Sequence, residues 1–215
     1  MLHRPWLWIN RTLSSKVVTP ILIQTSLTPN QITIMSMCSG LLSGIFLSLG
    51  TYESSLWGVL FFEFAYLLDN SDGEIARLKN MKSEIGAKLD ILCDMVTDTA
   101  FFIGIFIGAL RWQVPGPLGL FFWLSIIGLA ATYFIVMLEK KRGFGPAEHG
   151  KANPTGVERN SLIQEILNAV SEGEISIVIV LLGIFGLIYW LTWLIPVYIN
   201  ALWIINLARN FKWMR

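Results

Sequence analysis

Asp69-Asn70-Ser71-Asp72-Gly73-Glu74-Ile75-Ala76-Arg77, then eight residues, then Gly86-Ala87-Lys88-Leu89-Asp90-Ile91-Leu92-Cys93-Asp94, decides how this chain is read. Four aspartates, two glycines, an alanine and an arginine stand in fixed register inside an otherwise apolar sequence. Carboxylates beside long apolar runs are costly unless their charge is offset. Four together require counter-charge, and divalent cations are the natural candidates. Asp69 and Asp72 are three apart and Asp90 and Asp94 four apart, so each pair shares one helix face. A turn between the two helices brings the pairs together. Hard oxygen ligands of this kind suit Mg²⁺, Mn²⁺ or Ca²⁺. Zinc would need a cysteine or histidine cluster, and the sequence has none.

Outward from that segment, the chain has the composition of a membrane protein. Its 215 residues are 54% hydrophobic and 14% charged, with a mean hydropathy of +0.59. Soluble domains carry about 25% charged residues. Six stretches approach the roughly 20 residues that a helix needs to cross a bilayer: 31–49, 56–78, 85–110, 118–138, 175–190 and 193–207. The last two are the shortest, and the turn between them is placed near Leu191 and Thr192. The expected fold class is therefore an all-α integral membrane protein with six transmembrane helices. It forms a single domain over 1–215, with an interfacial segment at 1–24 and a six-helix bundle at 25–215. In that first segment Trp6, Leu13, Val17 and Ile21 recur at helical spacing among Arg4, Arg11 and Lys16. That pattern fits a helix lying in the membrane surface. The run 17–23 is too short, and too broken by Pro20, to read as a cleavable signal.

Basic residues set the orientation. With six spans, Arg4, Arg11, Lys16, Arg77, Lys79, Lys82, Lys88, Lys140, Lys141, Arg142, Lys151, Arg159, Arg209, Lys212 and Arg215 all fall on one face, and Arg111 on the other. Such asymmetry marks the cytoplasmic side. Both termini and the aspartate segment are expected there. The net charge of +1, with no basic nucleic-acid-binding cluster, gives no ground for expecting nucleic acid. Cys38 and Cys93 sit in apolar runs and read as small buried hydrophobes. The polar stretch 139–172 reads as a solvated connector, with 162–170 able to form a short amphipathic helix.

The small residues carry a separate argument. Glycine costs about 1 kcal/mol relative to alanine inside a helix. Gly73 therefore suggests close approach of a ligand or of a neighbouring helix, with Ala76 on nearly the same face. Arg77 offers a planar fork to phosphate, and Gly86 opens the next span. Glu63, deeper in the second span, reads as a hydrogen-bonding residue of the bundle interior. Asp98 extends the Asp90 and Asp94 spacing and reads as a structural polar contact. His3 is expected near lipid headgroups, and His149, Glu172 and Glu174 in solvated positions.

The segment resembles the CDP-alcohol phosphotransferase signature, D-x2-D-G-x2-A-R-x8-G-x3-D-x3-D, at all eight fixed positions. Thr28-Pro29-Asn30-Gln31-Ile32-Thr33 resembles the lead-in to the first span in many members. The resemblance implies transfer of a substituted phosphate from a CDP-linked alcohol to an acceptor alcohol with release of CMP, in phospholipid or polar-lipid synthesis. It implies two Mg²⁺ or Mn²⁺ ions held by Asp69, Asp72, Asp90 and Asp94, with Asp94 as the catalytic base. It implies contacts to the CDP portion from Asn30, Asp69, Gly73, Ala76, Arg77 and Gly86. Implied partners are a CDP-linked donor, CDP-diacylglycerol among the candidates, an alcohol acceptor, membrane lipid and a second copy of the chain. Met95 departs from the Arg or Lys that many members with phosphorylated acceptors carry after the last aspartate, which disfavours a phosphorylated acceptor here. Two alternatives remain at this stage: an enzyme making a soluble phosphodiester, and a divalent-cation transporter with a cytoplasm-facing acidic site.

Overall fold

The computed structural model describes residues 12–141 and 175–212. The expectations for His3, Arg4, Trp6, Arg11, His149, Glu172, Glu174 and the 162–170 helix lie outside them. Every regular element among the described residues is helical. A π-helical turn (Ser14–Val18) runs into the short α1 (Thr19–Leu22). Then come α2 (Pro29–Ser48), α3 (Tyr52–Leu78), α4 (Glu84–Arg111), α5 (Leu118–Lys141), α6 (Ile175–Ile184), a 3₁₀ turn (Ile188–Trp190) and α7 (Leu191–Lys212).

Three of these helices are long and apolar enough to cross a membrane: α2, α4 and α5 over Leu118–Ile135. α3 has the length, at 27 residues, but Glu63, Asp69, Asp72 and Arg77 dilute its apolar run. The continuous fifth span expected at 175–190 is broken instead. α6 stops at Ile184, Gly186 turns left-handed (φ +68°), and the 3₁₀ turn leads directly into α7. The turn sits at glycine because only a residue without Cβ takes that conformation cheaply. Leu191 and Thr192, expected in the connection, lie at the start of α7.

The chain divides into two compact units. Among the described residues one comprises 12–116 and 175–191, the other 117–141 and 192–212. In the first, α2 packs on both α3 and α4. Its buried face includes a stripe of small residues, Ser36, Ser39, Gly40, Ser43 and Gly44, between Ile32 and Leu47. A Cβ on Gly44 would collide with the Ala100 carbonyl, and one on Gly40 with Thr97. The helix backbones therefore approach closely, as small-residue interfaces in membranes allow. Ser36 and Ser39 donate to the Ala65 and Phe61 carbonyls, both at 2.8 Å. In the second unit, Asn200 donates to the Leu124 carbonyl at 3.0 Å, tying α7 to α5.

The starts of the helices are written locally. Thr28 and Gln31 form a reciprocal capping box on α2, with Pro29 in the first turn. Thr51 and Ser54 do the same for α3. Ser83 accepts from the Gly86 amide at 2.9 Å and caps α4. The segment 14–22 lies along α3 through polar contacts. Ser14 meets Ser71 at 2.8 Å, and Ser15 and Thr19 both donate to the Glu74 carboxylate. Ser14 and Thr19 are buried, whereas Leu13, Val17 and Ile21 are exposed. Lys79 donates to the Thr25 and Leu27 carbonyls, both at 3.0 Å, and holds the link to α2.

Candidate active site

The candidate site forms where α2 begins, α3 ends and α4 begins. Asp69 and Asp72 come from α3 and Asp90 from α4. One carboxylate oxygen from each lies within 4.8 Å of the others. Asp72 is buried, and Asp69 and Asp90 are half-buried. An all-carboxylate set at this separation fits a hard divalent cation, which takes oxygen ligands. Asp94, one turn beyond Asp90, stands outside that trio. Its carboxyl group is in hydrogen-bonding contact with Asp69. Two carboxyl groups this close share a proton unless a cation offsets their charge. Thr33 of α2 donates its hydroxyl to Asp72 Oδ2.

Beside the carboxylates opens a cavity of about 230 Å³, lined by the first turns of α2 and α4, the last turns of α3 and the 81–83 connection. Asn30, Gly73, Ala76, Arg77 and Gly86 all line it, together with Asp72 and Asp90. Asp69 and Asp94 are not among the lining residues. The two glycines serve different purposes. A Cβ on Gly73 would meet nothing nearer than the Arg77 Nη1 at 3.6 Å, so its bare backbone opens into the cavity. A Cβ on Gly86 would press on Asn30 Oδ1 and Ser83 Oγ, both at 3.0 Å, so this glycine lets two walls and the α4 cap close up. Sequence reasoning assigned no role in the cavity to Thr33, Met81, Lys82, Ser83 or Ala87, which also line it. The local signals were the cap spacing of Ser83 before Gly86 and the place of Thr33 in the lead-in to α2. Met95 is exposed on α4.

A family model described as CDP-alcohol phosphatidyltransferase matches residues 26–205, most of the chain. The chain belongs to the CDP-alcohol phosphatidyltransferase family. Among curated members, a phosphatidylinositol phosphate synthase of Corynebacterium glutamicum is 34% identical over 95 residues, covering 44% of this chain and 40% of that protein. A bifunctional IPC transferase and DIPP synthase of Aquifex aeolicus is 35% identical over 97 residues, covering 44% of this chain and 22% of that protein. The matches thus span less than half the length of these curated relatives. The crystal structure of Mycobacterium tuberculosis phosphatidylinositol phosphate synthase with CDP-DAG bound superposes with a TM-score of 0.60 at 21% identity, covering 90% of this chain and 92% of that one. That likeness establishes a shared fold. The described helices of this CDP-alcohol phosphatidyltransferase family member thus follow the fold of that structure.

Proposed function

We propose that this chain is a divalent-metal-dependent CDP-alcohol phosphotransferase that works on a membrane-borne donor. The observation that carries the reading is one cavity in which Asn30, Gly73, Ala76, Arg77 and Gly86 meet Asp72 and Asp90. A cation transporter would have no use for an arginine and bare glycine backbone beside its carboxylates. Membership of a phosphotransferase family removes that alternative.

In the proposed reaction the CDP portion of the donor lies against Asn30, Gly73, Ala76 and Gly86. Arg77 offers its guanidinium to the diphosphate. Asp69, Asp72 and Asp90, with Asp94 beside them, would hold two Mg²⁺ or Mn²⁺ ions, which when bound supply positive charge to the diphosphate oxygens. Asp94 takes the proton of the acceptor hydroxyl. The hydroxyl oxygen then forms a bond to the distal phosphorus as the bond from that phosphorus to the bridging oxygen breaks. CMP leaves with that oxygen. The CDP-DAG in the Mycobacterium tuberculosis neighbour supports CDP-diacylglycerol as donor. The names of the curated relatives support an inositol-containing product, whereas Met95 brings no positive charge beside Asp94 for a phosphorylated acceptor. Phosphorylated and free polyols therefore both belong in the test.

We read the chain as a single domain of six spans with both termini and the cavity cytoplasmic, on the strength of its basic-residue distribution. The segment 14–22 fits the membrane surface because Val17 and Ile21 are exposed, while Ser14 and Thr19 are buried and Val18 and Leu22 pack on Ile32, Leu68 and Ile75. The deciding experiment incubates the purified protein with Mg²⁺ or Mn²⁺ and a grid of CDP-linked donors and alcohol acceptors. CMP release is followed and the product is identified by mass. Metal-dependent CMP release with CDP-diacylglycerol and a polyol is expected. No release from any pair, by protein that is folded and metal-loaded, would end this reading.

A further inference from the structure

Thr33 stands between the two walls of the site. It sits on the first turns of α2, three residues after Asn30, and lines the cavity with it. Its side chain is buried, at 4% exposure, as is that of Asp72, at 5%. The Thr33 hydroxyl has two acceptors within reach: the Pro29 carbonyl at 3.0 Å and Asp72 Oδ2. A threonine hydroxyl carries one hydrogen, so it serves one of them at a time. The Pro29 carbonyl is the usual i−4 partner of a threonine within a helix. A carboxylate is the stronger acceptor, because charge-assisted hydrogen bonds are shorter and roughly twice as strong. The contact to Asp72 is also the shorter of the two.

We propose that Thr33 is a positioning residue for the metal ligand Asp72, fixing its carboxylate by a hydroxyl bond from α2 and thereby setting the affinity of the site for divalent cations. A carboxylate has two oxygens and several lone pairs, so a bond to Oδ2 leaves Asp72 able to coordinate. A buried carboxylate that could swing among rotamers would have to be ordered each time a cation binds. A hydroxyl anchored on another helix bears that ordering before the cation arrives. Partners of this kind commonly change metal affinity by about 10–100-fold when removed. Thr33 shares its turn with Asn30, so the same helix start shapes the nucleotide wall and holds the carboxylate.

This inference rests on the proposed function, and the test separates the two. Mn²⁺ binding to the purified full chain is measured by electron paramagnetic resonance. The Mg²⁺ dependence of CMP release is measured alongside it. Three proteins are compared: unaltered, Thr33→Ser and Thr33→Val. Valine has the shape of threonine without the hydroxyl; serine keeps the hydroxyl. Thr33→Val should weaken Mn²⁺ binding about 10-fold or more. It should raise the Mg²⁺ concentration needed for half-maximal turnover by a similar factor, with turnover recovering at saturating Mg²⁺. Thr33→Ser should stay within about threefold of the unaltered protein. If Thr33→Val does not fold, Thr33→Ala takes its place in the comparison. Unchanged Mn²⁺ affinity in the hydroxyl-free variant overturns the inference, as does equal weakening in the serine variant, which would indicate packing alone. Failure of the unaltered protein itself to bind Mn²⁺ or release CMP would instead overturn the proposed function.

Discussion

Asp94 is the residue whose role is most exposed to test. It lies one turn along α4 from Asp90 and touches Asp69, yet it stands outside the trio of converging oxygens. That placement suits a group that receives the acceptor proton. Asp94→Asn keeps the size and removes the basic charge. CMP release should fall about 10²–10⁴-fold, while binding of the CDP donor, read by titration, stays near its original value. Normal turnover by folded, metal-loaded Asp94→Asn would move proton transfer to another group. The cavity wall makes a second prediction. Gly73→Leu would fill space that the bare backbone leaves open and push on Arg77, and Arg77→Ala would remove a phosphate fork. Each should weaken cytidine-nucleotide binding about tenfold or more in calorimetric titration. Unchanged affinity in both would return these residues to a packing role. Much of this was legible in the chain itself, because the spacings of Asp69, Asp72 and Asp90 are helical spacings and need only one turn to converge. The separate task of Gly86 was not legible. It depends on Asn30 Oδ1, which arrives from a different helix. Thr33 stood in the lead-in to α2, but its contact was hidden for the same reason, being 39 residues from the aspartate it serves.

At the level of helices, apolar length located α2 to α5 to within a few residues, since a bilayer-length apolar run has few other structures open to it. The same signal failed at 175–190. Hydropathy does not record where a helix breaks, and Gly186 in a run of leucine and isoleucine looks like any other small residue until its φ is known. Close packing of α2 on α4 gives a stability prediction. Gly44→Ala would put a methyl group into the Ala100 carbonyl, and overpacking of this kind costs about 1–3 kcal/mol. The thermal midpoint in detergent should fall by several degrees. Gly119→Ala, on α5 where a Cβ meets nothing within 4 Å, is the matched control and should leave the midpoint unchanged or slightly raised. Equal midpoints for the two variants would show that the α2–α4 approach is looser than described.

For the molecule as a whole, the basic-residue argument predicts which surface faces the cytoplasm. In a Cys38→Ser, Cys93→Ala background, a cysteine replacing exposed Glu84 should react with an impermeant maleimide only from the cytoplasmic side, and one replacing exposed Gln113 only from the other. The reverse pattern would invert the orientation and the cavity with it. Lys79 shows why charge counting orients a chain without explaining it: the lysine that marks a side also clamps the Thr25 and Leu27 carbonyls. The polar seam between the segment 14–22 and α3 has a consequence in time. Ser14, Ser15 and Thr19 find their partners Leu67, Ser71 and Glu74 between 53 and 59 positions further along the chain. A ribosome adding about 5–20 residues per second needs roughly 3–12 s to make that stretch. Throughout that interval the newborn segment has its hydroxyls without their mates and its Val17 and Ile21 without a protein partner. The last turns of α3 close the wait.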